Sequence, residues 1–366
     1  MIAAMSAGQV WPAFFNKNTS SAVAQAIGLW YDLSKGLGNP QTDAVIGSGT
    51  NLTFQPVSDD TVTTATTAAL GGSIAGTVFT DTTHNTGRFT VGTVLTGTGV
   101  VAGTSIVSLG TGIGANNGGT YNVSISQTVT AQTITGTATA SFLQHGGNVS
   151  PLVKHMLTQQ IFSAAPTTAP AILQLVDVLG FIPVSTVTVT TAQTILGVQT
   201  LPRAANGQGV FAYITPVVNM GAGSPTLQLN YTKPGGTAGR LTPAAPSLPV
   251  ANSAAAVGQI LYSGTGVGKT GPFIPLQAGD NGILSIQSIQ QSATMTSGVY
   301  AIVLCKMIGL PMPISTQGVA SERDLLNMLP SMPILPDGCA PNWLMYAGNN
   351  TPVNSSFMGA VQSIWG

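Results

Sequence analysis

Between Arg88 and Lys154 the chain carries no aspartate, glutamate, lysine or arginine. That gap is filled by Gly, Thr, Ser, Ala, Val and Ile, in short runs such as Thr104-Ser-Ile-Val-Ser-Leu109, Tyr121-Asn-Val-Ser124 and Thr133-Ile-Thr135, and Gly76-Thr-Val-Phe-Thr80 just ahead of it is of the same kind. Thr and Val fit pleated, half-buried positions, and the glycines between the runs supply tight turns. Disordered segments are enriched instead in charge, Pro and Glu. Residues 66–142 are therefore expected to form a small all-β module inserted into the chain.

The scarcity of charge extends to the whole polypeptide. Asp, Glu, Lys and Arg make up 5% of its 366 residues, with ten bases balancing ten acids and Glu322 as the one glutamate. Ordinary soluble proteins carry about 25%. A neutral, charge-poor surface cannot neutralise many phosphates or dock electrostatically on anionic lipid, so neither nucleic acid nor membrane is expected as a partner. The 43% hydrophobic content never gathers into a run of about 18 apolar residues. The start, Met1-Ile-Ala-Ala-Met-Ser-Ala-Gly-Gln-Val-Trp-Pro, lacks the basic and apolar regions of a signal peptide.

Outside the module the chain divides into three further parts. Residues 1–65 read as an N-terminal arm with one helix, capped by Ser20 or Ser21, carrying Val23, Ala24, Ile27, Trp30 and Tyr31 at helical spacing and stopped by Gly36 and Gly38. Trp11, Phe14, Phe15 and Trp30 in this arm, with Trp365 at the far end, are the candidate anchoring residues. Aromatics in a terminal arm dock onto its own core or onto a neighbour, and the residues do not decide which. Residues 143–170 read as a short helix, with Ser150 at the cap and Pro151 at its first position, followed by the linker Ala164-Ala-Pro-Thr-Thr-Ala-Pro170. Residues 171–366 repeat strand and turn: Thr186–Thr190, Val210–Ile214, Thr226–Thr232 before Pro234-Gly-Gly236, Leu284–Ile289, Gly298–Cys305 and Ser356–Trp365. Ser321 caps one expected helix, Glu322–Leu329, ended by Pro330. The fold class is mainly β, with an antiparallel sandwich or jelly-roll-like body as the oligomerising part.

Motifs for chemistry are weak. Ser263-Gly-Thr-Gly-Val-Gly-Lys269-Thr270 approximates a phosphate-binding loop but has Ser263 in place of the first glycine. Gly271-Pro272-Phe-Ile-Pro275 follows, where such a loop requires a helix. It reads as a turn between strands, with Lys269 at a solvated tip. His84, His145 and His155 lack metal-ligand spacing. Asp59 and Asp60 are adjacent and point apart in an extended chain, and Asp280 is a turn residue by context. Asp177, inside Leu173-Gln-Leu-Val-Asp-Val-Leu179, is the one buried acid expected, satisfied by backbone N–H groups or an arginine. Cys305 and Cys339 make no disulfide framework, and a bridge between them stays open. Asn-x-Ser/Thr triplets at Asn18, Asn51, Asn122, Asn148, Asn230, Asn349 and Asn354 are expected by chance in so Ser- and Thr-rich a chain. No enzyme activity, metal or cofactor is expected.

Edge strands of soluble monomers are normally guarded by Lys, Pro or inward charges, and solubility relies on net charge. This chain has little of either. Its surfaces make sense when covered by neighbours in a permanent assembly, where Thr, Ser, Asn and Gln pair without desolvating charges.

The residues also carry a resemblance. Val94-Leu-Thr-Gly-Thr-Gly-Val-Val-Ala-Gly-Thr-Ser-Ile-Val-Ser-Leu-Gly110 and Gly118-Gly-Thr-Tyr-Asn-Val-Ser-Ile-Ser-Gln-Thr-Val129 resemble a module of tailed-bacteriophage structural proteins. Gln259 through Asp280 and Ala320 through Pro330 are similar to phage virion proteins. The resemblance implies a virion component, with no catalytic residues to carry over. The leading expectation is a capsid decoration or cement protein whose partners are its own copies, a trimer among the options, and the major capsid protein or another virion protein. The alternatives are a tail, neck or fibre component and, in a different class, a receptor- or glycan-binding adhesin.

Overall fold

In a computed structural model the described residues are 7–19, 25–36, 38–39, 52–57, 61–82, 84–86, 93–111, 119–143, 145, 148–164, 170–223, 225–243, 257–261, 271–328, 332–352 and 355–366. The principal strands are β1 (Val10–Asn18), β2 (Trp30–Asp32), β3 (Thr61–Asp81), β4 (Gly119–Ser141), β5 (Lys154–Ser163), β6 (Ala171–Val184), β7 (Val210–Val218), β8 (Leu227–Thr232), β9 (Ser285–Gln291), β10 (Val299–Met307), β11 (Ser321–Asp324), β12 (Pro341–Ala347) and β13 (Ser356–Trp365). One helical turn, α1 (Leu325–Met328), follows β11. The protein is mainly β, built of several antiparallel sheets, one of them a curled half-barrel.

A seven-stranded sheet, ordered β7-β10-β6-β12-β2 with Gln55–Pro56 and Met312–Ile314 also paired to β6, forms the centre. Its long strand β6 is buried along nearly its whole length. A strand covered on both faces reads as a continuous apolar run rather than an alternating one, which is what Leu173-Gln-Leu-Val-Asp-Val-Leu-Gly-Phe-Ile182 does. A bulge between Val178 and Gly180 shifts its register against β10. Leu179, Ile182 and Val184 then share one core with Leu229 and Tyr231 of β8 and Ile286 and Ile289 of β9, which belong to a four-stranded sheet. Leu173 and Leu175 share a second core with Ala13 and Phe15 of β1, Met156 and Ile161 of β5, and Phe357 and Val361 of β13. Val176, Val178 and Phe181 enter a third with Val57, Phe142 and Ile260 from connecting segments. Each fully buried Val, Leu or Ile contributes about 1.5–3 kcal/mol of hydrophobic stabilisation.

The sheet packed over the second core has the order β11-β5-β13-β1 and ends on Gly38–Asn39. It joins both ends of the chain, since β1 pairs with β13 from Val10↔Ile364 to Asn18↔Ser356. The Gly/Thr-rich segment forms its own sheet around the paired strands β3 and β4, with a small core of Ile74, Phe79, Leu95, Ile106, Tyr121, Val123, Val129 and Ile134.

Three expected helices are corrected. Residues 150–161 are mostly the strand β5, whose bulge between Met156 and Thr158 buries two consecutive residues, Met156 and Leu157. This one-residue phase slip in an alternating strand imitates helical spacing. Of the helix expected in the N-terminal arm, residues 20–24 lie outside the described residues. Ile27 stands in a turn, and Trp30 and Tyr31 are strand residues paired with Tyr346 and Met345 of β12. Among the described residues of the arm, regular helix is limited to the 3-10 turn Leu33–Lys35, where Asp32 accepts from the Ser34 N–H. The helix placed over Glu322–Leu329 starts three residues late. Glu322, Arg323 and Asp324 pair with β5, and the Asp324 carboxylate accepts from the Leu326 N–H at the head of α1.

The strand expected over Thr186–Thr190 is a turn instead. The carbonyls of Val187 and Val189 are met by the Gln291 side-chain amide, and that of Val187 also by the Met295 N–H. Side-chain donors there replace a strand ladder.

Candidate functional site

The candidate anchoring residues do not converge. Phe15 is 3% exposed and its ring lies 5.2 Å from that of Trp343. Trp30 is half-buried against Tyr346, 5.5 Å away. Trp365 is half-buried, with the Lys154 ammonium 5.7 Å from its ring centre. Trp11 is 40% exposed and Phe14 67%. Strand alternation accounts for the contrast between Phe14 and Phe15, since Ala13, Phe15 and Lys17 face the core and Pro12, Phe14 and Asn16 face out, whereas Trp11 shares the inward parity but is exposed.

Phe14 belongs to a cross-strand row on the outer face of the five-stranded sheet. It is opposite Ala360, Ala360 is opposite Gln160, and Gln160 is opposite Glu322. The adjacent rows are Pro12, Gln362, Thr158 and Asp324 on one side, and Asn16, Met358 and Phe162 on the other. Met358, Ala360 and Phe162 are half-buried, and Pro12, Gln160 and Glu322 are exposed. The alternation within Ser356–Trp365 carried this signal, and sequence reasoning did not use it.

Many of the sparse charges are spent inside. Asp177 holds Arg203 in a two-pronged ion pair, with Nη2 to Oδ1 at 2.8 Å and Nε to Oδ2 at 2.9 Å. The Ala340 N–H also donates to Asp177, and Arg203 reaches the carbonyls of Val57 and Val178. The buried acid is thus satisfied by an arginine and a backbone N–H, as its sequence context suggested. Asp32 accepts from the Ser34 N–H, Asn342 and the Tyr213 hydroxyl. Asp337 ties down the N–H groups of Val149 and Ser150. Lys17 donates to the Gly36 carbonyl at 2.7 Å, and the Lys154 ammonium lies 2.9 Å from His145 Nδ1, all within buried surroundings.

Asp280, the expected turn residue, is also a hub. Arg240 grips it through Nε at 2.8 Å and Nη2 at 3.0 Å, the Tyr231 hydroxyl donates at 2.6 Å, and Lys233 stands 3.7 Å away. The hydrogen bond from Arg240, reinforced by that from Tyr231, holds its carboxyl below the ordinary value of 3.8. Burial, then the bond to Asp280, pushes Tyr231 up. Burial raises Tyr31 to about 12, outweighing the Ala26 N–H that its oxygen accepts.

Cys305 and Cys339 are free thiols, both buried and both pushed well above the ordinary thiol value by that burial. Among the described residues no group of three or more His, Cys, Asp or Glu is placed to hold a metal. No described helix is long and apolar enough to cross a membrane. The phosphate-loop lookalike at 263–270, and Asp59 and Asp60, lie outside the described residues.

No family model matches the chain, and no curated protein matches it. Among solved structures, that of infectious bursal disease virus Gx strain aligns at 10% identity, covering 98% of this chain and 81% of that one, with a TM-score of 0.14. T=1 particles derived from infectious bursal virus align at 8% identity over 87% of this chain and 80% of that one, with a TM-score of 0.13. Similarities at that level carry no argument about shared fold or role.

Proposed function

We propose that this chain is a structural component of a bacteriophage virion, a decoration or cement protein that stabilises the head lattice through contacts with its own copies and with the major capsid protein. The observation that carries the reading is where the charges go. Asp32, Asp177, Asp280, Asp337, Lys17, Lys154 and Arg203 are engaged in internal bonds. Among the described residues, the exposed side chains are largely hydroxyls, amides and apolar groups. Such a surface can be covered by neighbours without a large charge-desolvation cost, and it lacks the net charge that keeps free monomers apart. The resemblance of Val94–Gly110 and Gly118–Val129 to phage structural modules points the same way. The role is mechanical, and no reaction is assigned to the chain.

The test is electron microscopy of purified particles labelled for this chain, with heat challenge of particles that lack it. Label over the head together with reduced heat resistance supports the reading. Label confined to tail or fibres makes it a tail component. Unlabelled particles, combined with binding of the isolated protein to host cells, would replace the reading with the adhesin.

A further inference from the structure

We infer that the outer face of the five-stranded sheet is the surface by which the chain docks on a different virion protein, one that presents an apolar side chain flanked by a lysine or arginine. The inference rests on the virion reading and adds the site and the chemistry of the partner.

Three observations converge on this face. It is apolar at its centre: Ala360, the smallest side chain of its row, is bordered by Phe14 and lies beside the row of Met358 and Phe162. A small residue among larger ones leaves a shallow seat for one incoming side chain. Phe14 is exposed to 67%, and large exposed aromatics that gain burial on association are the usual anchors of interfaces.

The face is also charged on one side only. Glu322 is exposed, faces outward opposite Gln160, and stands in the same row as Phe14. Asp324 faces the same way in the next row, its carboxylate already engaged by the Leu326 N–H. The lysines and the arginine of these strands do not join them: Lys17 and Lys154 are buried, and Arg323 pairs with the inward, buried Gln159, while His155 on that face is tied to the Met332 carbonyl. Strands in a sheet lie about 4.8 Å apart. A cation meeting Glu322 would therefore stand about 10 Å from an apolar group seated over Ala360, two strands away.

The third observation decides between a second copy and a different protein. Two copies stacked face to face set the acidic border over another acidic border or over the neutral β1 side. Neither arrangement supplies a cation to Glu322. Addition through the β11 edge is also opposed, because that strand carries Glu322, Arg323 and Asp324 in sequence. Charged residues on an edge guard it against strand pairing. The face thus fits a heterologous, basic-rimmed partner better than itself.

The test uses the full chain and particles produced without it. Wild-type protein, Phe14→Gln, Glu322→Lys and a control on the module's exposed surface, Thr128→Ala, are each titrated onto such particles at low and high salt, with sizing of the free proteins alongside. Phe14→Gln and Glu322→Lys should each weaken binding about tenfold or more, the loss expected for a buried anchor. Thr128→Ala should bind as wild type, and salt should weaken wild type more than Glu322→Lys. If wild type binds and both variants follow it within about twofold, well below an anchor's loss, the face is not the docking surface although the virion reading stands. If the variants lose self-association but keep particle binding, the occupant is a second copy and the inference is overturned. If wild type itself fails to bind and is missing from particles, the virion reading fails first and the docking surface falls with it.

Discussion

The ring of Phe15 lies across its strand neighbour Gly359, so close that a Cβ at Gly359 would stand 2.8 Å from the ring. The same Cβ would collide with the carbonyl oxygen of Gln160 on the other side. Glycine therefore lets β1 and β5 close on β13 while Phe15 reaches Trp343. Gly359→Ala should destabilise the protein by about 1–3 kcal/mol, the range of overpacking in a filled core. Urea unfolding followed by Trp fluorescence measures it, and an unchanged midpoint would refute the packing described.

Asp177 and Arg203 form the most completely bonded ion pair described in the chain, with side chains 4% and 8% exposed. Arg203 sits at a φ of 59°, a left-handed conformation that costs a non-glycine residue about 1–2 kcal/mol. Its bonds to Asp177, Val57 and Val178 hold it there. Arg203→Met should cost about 3–5 kcal/mol, because it leaves a buried carboxylate without its cation. The double variant Asp177→Leu with Arg203→Met should recover part of that loss. Denaturation midpoints of the two single variants and the double variant check both statements.

The Asp280 hub gives a pH dependence with a definite sign. Its folded carboxyl titrates below the ordinary 3.8, so its charge favours the folded state. That contribution is fully present above 3.8 and disappears as pH falls through the lower folded value. Asp280→Asn lacks it at every pH. The gap in melting temperature between wild type and this variant should be widest near neutrality and close in strong acid. A gap independent of pH would contradict the assignment.

Burial makes both thiols inert in the folded protein. Cys305 and Cys339 should resist an aromatic disulfide reagent under native conditions and react promptly once the chain is unfolded in guanidinium. Rapid native labelling of either would place it at the surface.

Much of the β architecture was legible in the sequence. Val210–Ile214, Thr226–Thr232, Leu284–Ile289, Gly298–Cys305 and Ser356–Trp365 all fall on strands. They are short, β-branched or alternating, and bounded by Gly, Pro or Asn. The misreadings share a physical origin, which is that local pattern does not report what the other strand does. The bulge in β5 disguised a strand as a helix. In β1, Lys17 occupies an inward position that apolar alternation would reserve for a hydrophobe. It is accommodated because its ammonium finds the Gly36 carbonyl, a contact no periodicity announces. Trp30 and Tyr31 are strand residues because β12, more than 300 positions downstream, pairs with them, with Gln259 bridging Tyr31 on the other side. The candidate site was half legible. The aromatic residues were evident, but which of them point outward depended on strand parity, and Met358, Ala360 and Phe162 emerged as their neighbours only through register.

The central claim is that this chain works as a built-in part of a particle. Its most direct test is the copy number of the chain relative to the major capsid protein in gradient-purified particles, measured by quantitative mass spectrometry. The account predicts a fixed ratio of the same order as the shell subunit, unchanged by repeated purification. A chain missing from particles and recovered from the surrounding lysate as a stable monomer would contradict it.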